Sequence, residues 1–219
     1  MHGYLSSGKS FAYQIPFFEK DFRVFAPDLK GFGENPDMKY PYSLSDYVAE
    51  LRQYLKANGI VKPHVIAHSF GARIVIKAAA DSPELFDRIV LTGAAGLTPK
   101  RKIRYYIKTG VYKTLKLIVP KEKLSSFYSE DYKKLSPVMK ESFVKIVNEH
   151  LDDLLPRIKN RTLIVFGKND KETPTYMGRR LNKGIKNSEY VEIKDAGHFS
   201  FIDKPLRFNM EVREFLLSR

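Results

Sequence analysis

Val65-Ile66-Ala67-His68-Ser69-Phe70-Gly71-Ala72 joins two kinds of structure across one residue. The run before Ser69 is short, apolar and β-branched, as a buried strand is. The run after it begins with small residues and continues apolar at helical spacing to Ala80. A serine between such a strand and such a helix sits on a sharp turn that lifts its hydroxyl clear of both, provided its neighbours two residues away are small. Gly71 meets that condition, and Ala67 stands where glycine is usual, one methyl larger. The plainer alternative is a serine that only caps the following helix.

Outward from this turn, short apolar or aromatic runs alternate with longer amphipathic stretches, the pattern of parallel strands joined by helices. Strands are predicted at Arg23–Ala26, His64–Ala67, Ile89–Thr92, Thr162–Phe166 and Tyr190–Ile193. Ser43 is placed to cap a helix in which Leu44, Tyr47, Val48, Leu51 and Leu55 recur at helical spacing, and Asn58-Gly59 to end it. Further helices are predicted over Gly71–Ala80, Tyr176–Asn182 and Arg207–Leu217. From Leu97 to Pro156 the alternation stops, in a stretch rich in Lys and Tyr and helical in composition. It reads as a helical lid (97–156) inserted into an α/β core made of residues 1–96 and 157–219.

The chain has 219 residues, 43% hydrophobic and 13% aromatic, enough for one well-buried core and unlike a disordered composition. It has no cysteine, which excludes disulfides and thiolate metal sites, and the five histidines carry any imidazole chemistry. No apolar run approaches the roughly 18 to 20 residues of a membrane-spanning helix. Met1-His2-Gly3 opens on a motif rather than a leader, so a cytoplasmic protein without stable membrane insertion is expected. The net charge of +13 bears on solubility and steering; no nucleic-acid-binding module accompanies it, and no nucleic-acid partner is expected. Oligomeric state is not legible.

A serine hydroxyl is a poor nucleophile near neutral pH, so a base must take its proton and a carboxylate must hold that base. Asp170 follows the strand Thr162–Phe166 through Gly167-Lys168-Asn169, and His198 follows the strand at Tyr190–Ile193 through Lys194-Asp195-Ala196-Gly197. In a parallel sheet both fall at the carboxyl ends of the strands, the edge where Ser69 also lies. Among the other histidines, His68 adjoins the serine and should point away from it, His64 starts a strand, and His150 lies in the insertion. His198 is therefore the expected base and Asp170 its partner, with Glu172 as the second candidate for the carboxylate.

With His2-Gly3-Tyr4, Asp28-Leu29-Lys30-Gly31-Phe32-Gly33 and Asp195-Ala196-Gly197-His198-Phe199 in this order around the elbow, the chain resembles the α/β-hydrolase superfamily across nearly its whole length. The resemblance implies a mostly parallel sheet flanked by helices. It also implies a serine hydrolase that acts on a carboxylic ester or related small acyl substrate through an acyl-enzyme, with no cofactor. By the same similarity the backbone N–H groups of Tyr4 and Phe70 form the oxyanion hole. Gly31 and Gly33 read as shaping a tight turn, since the spacing and lysine-serine pair of a phosphate loop are absent.

Substrate contacts are expected from the insertion, where Tyr105 and Tyr128 are among the aromatic residues that would line an apolar pocket. The basic segment Lys100–Lys123 would favour anionic substrates or a lipid surface if it is more than a solvated face. Arg73, together with His2-Gly3-Tyr4-Leu5-Ser6-Ser7-Gly8, is similar to the menaquinone-pathway C–C lyases of this superfamily, in which an arginine there meets substrate carboxylates. The alternative for Arg73 is a helix-surface pair with a protein carboxylate. Members of the superfamily usually have three strands ahead of the oxyanion motif, the third lying between those predicted at Arg23–Ala26 and His64–Ala67. Here that motif begins at residue 2, so a reading frame extending upstream is expected, with a non-catalytic fragment as the other outcome.

Overall fold

The alternation of strand and helix closes into a parallel sheet of four strands in the computed structural model, which describes residues 1–35, 38–100 and 135–218. The strands are β1 (Val65–His68), β2 (Arg88–Thr92), β3 (Arg161–Gly167) and β4 (Ser188–Ile193), in the order β1-β2-β3-β4. Val65 pairs with Ile89, Ile89 with Thr162, and Thr162 with Ser188, so all four strands point their carboxyl ends to one edge.

Helices cover both faces. On one lie α2 (Leu44–Ala57), α3 (Phe70–Asp81) and α5 (Thr175–Gly184); on the other lie α1 (Ile15–Phe18), α6 (Ser200–Asp203) and α7 (Pro205–Leu217). Successive strand residues serve opposite faces. Ile89, Leu91, Ile164 and Phe166 pack into the α2/α3/α5 side, whereas Val90, Leu163 and Val165 pack into the α1/α6/α7 side. Burial on both sides is why these strands read as unbroken apolar runs.

Helix α2 starts where its sequence predicts. Ser43 accepts from Asp46 N at 3.3 Å and Asp46 accepts from Ser43 N at 2.7 Å, a reciprocal cap worth about 1 kcal/mol. It ends at Asn58, and Gly59 follows at φ 61°. Of the expected insertion, the described residues hold a helix α4 (Pro137–Asn148) and a 3-10 turn over Asp152–Arg157. Helix α4 is fastened to the core: Tyr42 N donates to Ser142 Oγ at 2.8 Å and Tyr4 Oη to Met139 O at 3.2 Å.

The strand expected at Arg23–Ala26 does not form. Val24 and Phe25 have the side chains of a strand, but a strand is a ladder and needs a neighbour about 4.8 Å away. Between this segment and β1 lies instead an apolar groove of about 380 Å³, lined by Phe18, Val24, Ala26, Leu55 and Ile66 among others. At its upper end Met1 lies along β1, donating to Ile66 O at 2.5 Å and accepting from His68 N at 3.0 Å. Burial lowers the pKa of the Met1 amine to about 5.

Candidate active site

Ser69 occupies the turn between β1 and α3 with φ 48° and ψ −104°, a conformation that costs an L-residue on the order of 1 to 3 kcal/mol. The turn is held from both ends: Ser69 N donates to Thr92 O at 3.1 Å, and Ser69 O accepts from Ala95 N at 3.3 Å. A Cβ at position 71 would come within 2.7 Å of the carbonyl oxygens of Met1 and His2, so only glycine fits there. Ala67 is wholly buried in the core, and its methyl is accommodated.

The first residues of the chain lie against this elbow. Gly71 N donates to His2 O at 3.1 Å, and a Cβ on Gly3 would meet His68 Nδ1 at 2.8 Å. His2 is buried; its Nδ1 donates to Gly3 O at 2.8 Å, and its Nε2 accepts from Leu29 N at 2.9 Å. That imidazole fastens the His2-Gly3-Tyr4 loop to the loop at residues 28–33, where Gly31 and Gly33 take φ of 83° and 57°. Burial keeps the His2 pKa below its ordinary value, in accord with a neutral ring that both donates and accepts. The rings of Tyr4 and Phe70 meet edge to face at 5.4 Å. Phe70 opens α3, so its N–H belongs to the positive end of that helix.

Asp170 and His198 come together from loops after β3 and β4. His198 Nδ1 donates to Asp170 Oδ2 at 2.9 Å. Asp170 is 5% exposed and fully engaged. Its Oδ1 accepts from the backbone N–H groups of Glu172 and Thr173, each at 2.9 Å, and its Oδ2 accepts from the Thr173 hydroxyl at 2.8 Å. Burial alone would raise the carboxyl pKa; the hydrogen bonds from His198 and Thr173 outweigh it and hold the pKa below the ordinary value. Glu172, the second candidate, gives the site its backbone N–H. Thr173 lies outside the motifs read from the sequence, although an aspartate accepting from N–H groups two and three residues onward is a readable local pattern.

His198 and the elbow share a support. Thr92 O receives the Ser69 N–H, and the next residue, Gly93, lies so close to His198 that a Cβ there would fall 2.9 Å from His198 O. No hydrogen bond among the described residues engages Ser69 Oγ. Among the described residues no group of three or more His, Asp or Glu is placed to hold a metal ion.

Arg73 is engaged with the end of α4. It is 9% exposed, and its Nη1 donates to Ile146 O at 2.8 Å and Glu149 O at 2.9 Å, capping the carboxyl end of α4. Among the described residues it forms no ion pair with a carboxylate; the Glu149 carboxylate is paired with Lys77. Tyr105 and Tyr128 lie outside the described residues.

The sheet with its helical layers, the strained elbow and the buried carboxylate–imidazole pair at one edge define a hydrolase-type fold. The profile of the alpha/beta hydrolase fold matches residues 1–118 and 108–205, and the chain belongs to that family and is an enzyme of it. It is 25% identical over 245 residues to the uncharacterized hydrolase YugF of Bacillus subtilis (strain 168), across 99% of this chain and 88% of that protein. It is 28% identical over 229 residues to a 2-hydroxy-6-oxononadienedioate/2-hydroxy-6-oxononatrienedioate hydrolase of Escherichia coli O139:H28, across 92% of this chain and 78% of that one. Among solved structures it is similar to the meta-cleavage product hydrolase CumD from Pseudomonas fluorescens IP01, with a TM-score of 0.72 and 26% identity over 96% of this chain and 85% of that chain.

Proposed function

We propose that this enzyme is a serine hydrolase that cleaves a carboxylic ester or related small acyl substrate through an acyl-enzyme. The observation that carries the reading is the 2.9 Å hydrogen bond from His198 Nδ1 to a buried Asp170, at the sheet edge where Ser69 stands on its strained elbow. The bond from Nδ1 leaves Nε2 as the nitrogen that accepts the Ser69 proton while Oγ attacks the acyl carbon. The imidazolium so formed is stabilised by Asp170 and gives its proton to the departing alcohol; water then enters by the same route and releases the acid. The N–H groups of Tyr4 and Phe70 hold the oxyanion, each worth on the order of 10²-fold in rate. No cofactor enters these steps.

Residues 1–96 and 157–219 serve as the catalytic core in this reading and residues 97–156 as a lid, of which α4 rests on Tyr4. A cytoplasmic location accompanies it; no helix among the described residues is long and apolar enough to cross a membrane. The test is labelling by a fluorophosphonate probe: wild-type protein should be labelled at Ser69 within minutes and Ser69→Ala not at all. Absence of labelling of folded wild-type protein would overturn the reading.

A second reading, C–C bond cleavage at the same site, is favoured by the names of the dienedioate hydrolase and meta-cleavage product hydrolase relatives. A dienedioate carries two carboxylates and calls for a cation at the site. Arg73, the residue that suggested one, is engaged with α4 instead. Turnover of a panel of small aryl and alkyl esters separates the two.

A further inference from the structure

We propose that His68, the residue before the nucleophile, is a positioning residue for the base: its Nε2–H, donated to the main-chain carbonyl of His198, ties the histidine loop to the nucleophile elbow. The inference rests on the serine-hydrolase reading for its effect on rate, and on geometry for the link itself. His68 Nε2 lies 3.1 Å from His198 O, and the two imidazole rings are 4.6 Å apart between centroids. Phe199 and Phe201 close the other sides at 4.9 Å and 5.0 Å, and His68 is 2% exposed. The ring is therefore fixed in place. The carbonyl it meets lies close to Gly93, where an added Cβ would come within 2.9 Å of it.

The direction of the bond follows from chemistry. A carbonyl only accepts, so Nε2 must carry the proton, and a neutral imidazole then keeps Nδ1 as an acceptor. Burial lowers the His68 pKa to about 3, so the ring is neutral at any working pH. The titratable groups acting on it are His198 and Asp170 from the loops after β4 and β3, and the Met1 amine beside β1. When His198 takes up the Ser69 proton, a positive charge arises beside the His68 ring. An uncharged donor there holds the loop without opposing that charge.

A residue that only filled space could be replaced by phenylalanine; a donor could not. Glutamine places an amide nitrogen near the position of Nε2, whereas asparagine places one near Nδ1. The experiment compares wild type with His68→Gln, His68→Asn and His68→Phe by fluorophosphonate labelling rate across about pH 5 to 9, the range in which a base histidine titrates, alongside thermal melts. The Gln variant is expected to keep the wild-type rate within about threefold. Folded Asn and Phe variants should lose roughly 10- to 100-fold, the scale of a base displaced by about an ångström. A Phe variant equal to wild type in rate and pH midpoint would overturn the proposal.

Imidazole 15N NMR of the wild type keeps it falsifiable apart from activity or a misfolded variant. His68 is expected as the neutral Nε2–H tautomer throughout, and an Nδ1–H tautomer or a titration in that range would refute the link. If wild-type protein is not labelled, the hydrolase reading falls, and the NMR titration of His198 still decides the link. A midpoint changed in the Phe variant and restored in Gln supports it; one midpoint in all three proteins overturns it.

Discussion

Thr173 donates to Asp170 twice, from its backbone N–H to Oδ1 at 2.9 Å and from its hydroxyl to Oδ2 at 2.8 Å. The hydroxyl oxygen also lies 3.1 Å from His198 Nδ1, so it touches both members of the pair. Removing it withdraws a donor from a buried carboxylate and loosens the orientation of the imidazole. Thr173→Val is expected to lower stability by about 1 to 3 kcal/mol and Ser69 labelling by about tenfold, with Thr173→Ser restoring both. Urea unfolding and labelling kinetics on the three proteins check it; a fully active Val variant would show that the hydroxyl is dispensable.

Strain at Ser69 predicts opposite signs for activity and stability. Ser69→Gly removes the nucleophile and relieves the φ of 48°. The variant should melt higher, by the equivalent of about 1 kcal/mol after the entropy of a more flexible unfolded chain is counted. Activity should fall by at least about 10³-fold. Ser69→Ala should lose activity equally without gaining stability. Scanning calorimetry of the two variants separates the contributions.

Stability should fall on the acid side in two overlapping stages. His68 has a pKa of about 3 when folded and an ordinary one when unfolded. Above about pH 6.5 neither state binds a proton there; below it the unfolded state does first, so stability declines by up to about 1.4 kcal/mol per pH unit. Asp170, lowered in the folded state, adds its loss as pH falls below the ordinary carboxylate range near 4. The burial-lowered pKa values of His2 and His64 act in the same direction as His68. His68→Gln should make the decline between about pH 6 and 4 shallower by up to one proton, as urea midpoints across pH will show.

Arg73 joins α3 to the end of α4, and burial lowers its pKa only to about 10, so it remains a cation at neutral pH. Arg73→Ala leaves the Ile146 and Glu149 carbonyls without that donor and should destabilise by about 2 to 4 kcal/mol. Under the ester-hydrolase reading, kcat/KM for a small aryl ester should change by less than about threefold at a temperature where the variant is folded. A loss of several hundredfold confined to dicarboxylate substrates would instead favour the C–C cleavage reading.

Much of the molecule was readable along the chain because its causes are local. Apolar runs gave β1 to β4 within one or two residues, Ser43 gave the start of α2, and the small residue at position 71 gave the elbow. The order of Ser69, Asp170 and His198 at strand ends placed them at one edge once the sheet was known to be parallel. The segment at Arg23–Ala26 misled because β-propensity describes a side chain's fit to a sheet, whereas a ladder depends on what lies alongside.

Residue types and their spacing, then, announced a strand-to-helix elbow and pointed to Asp170 and His198 as the pair proposed to serve it, since turn strain and periodicity act over a few neighbouring residues. Tertiary closure assigned the remaining tasks: Arg73 to the carbonyl of Ile146, 73 positions away, and the imidazole of His68 to the carbonyl of His198, 130 positions away. Such partners meet only after the layers have packed around the sheet, because a hydrogen bond reaches about 3 Å and nothing along the chain records which distant group will stand at its other end.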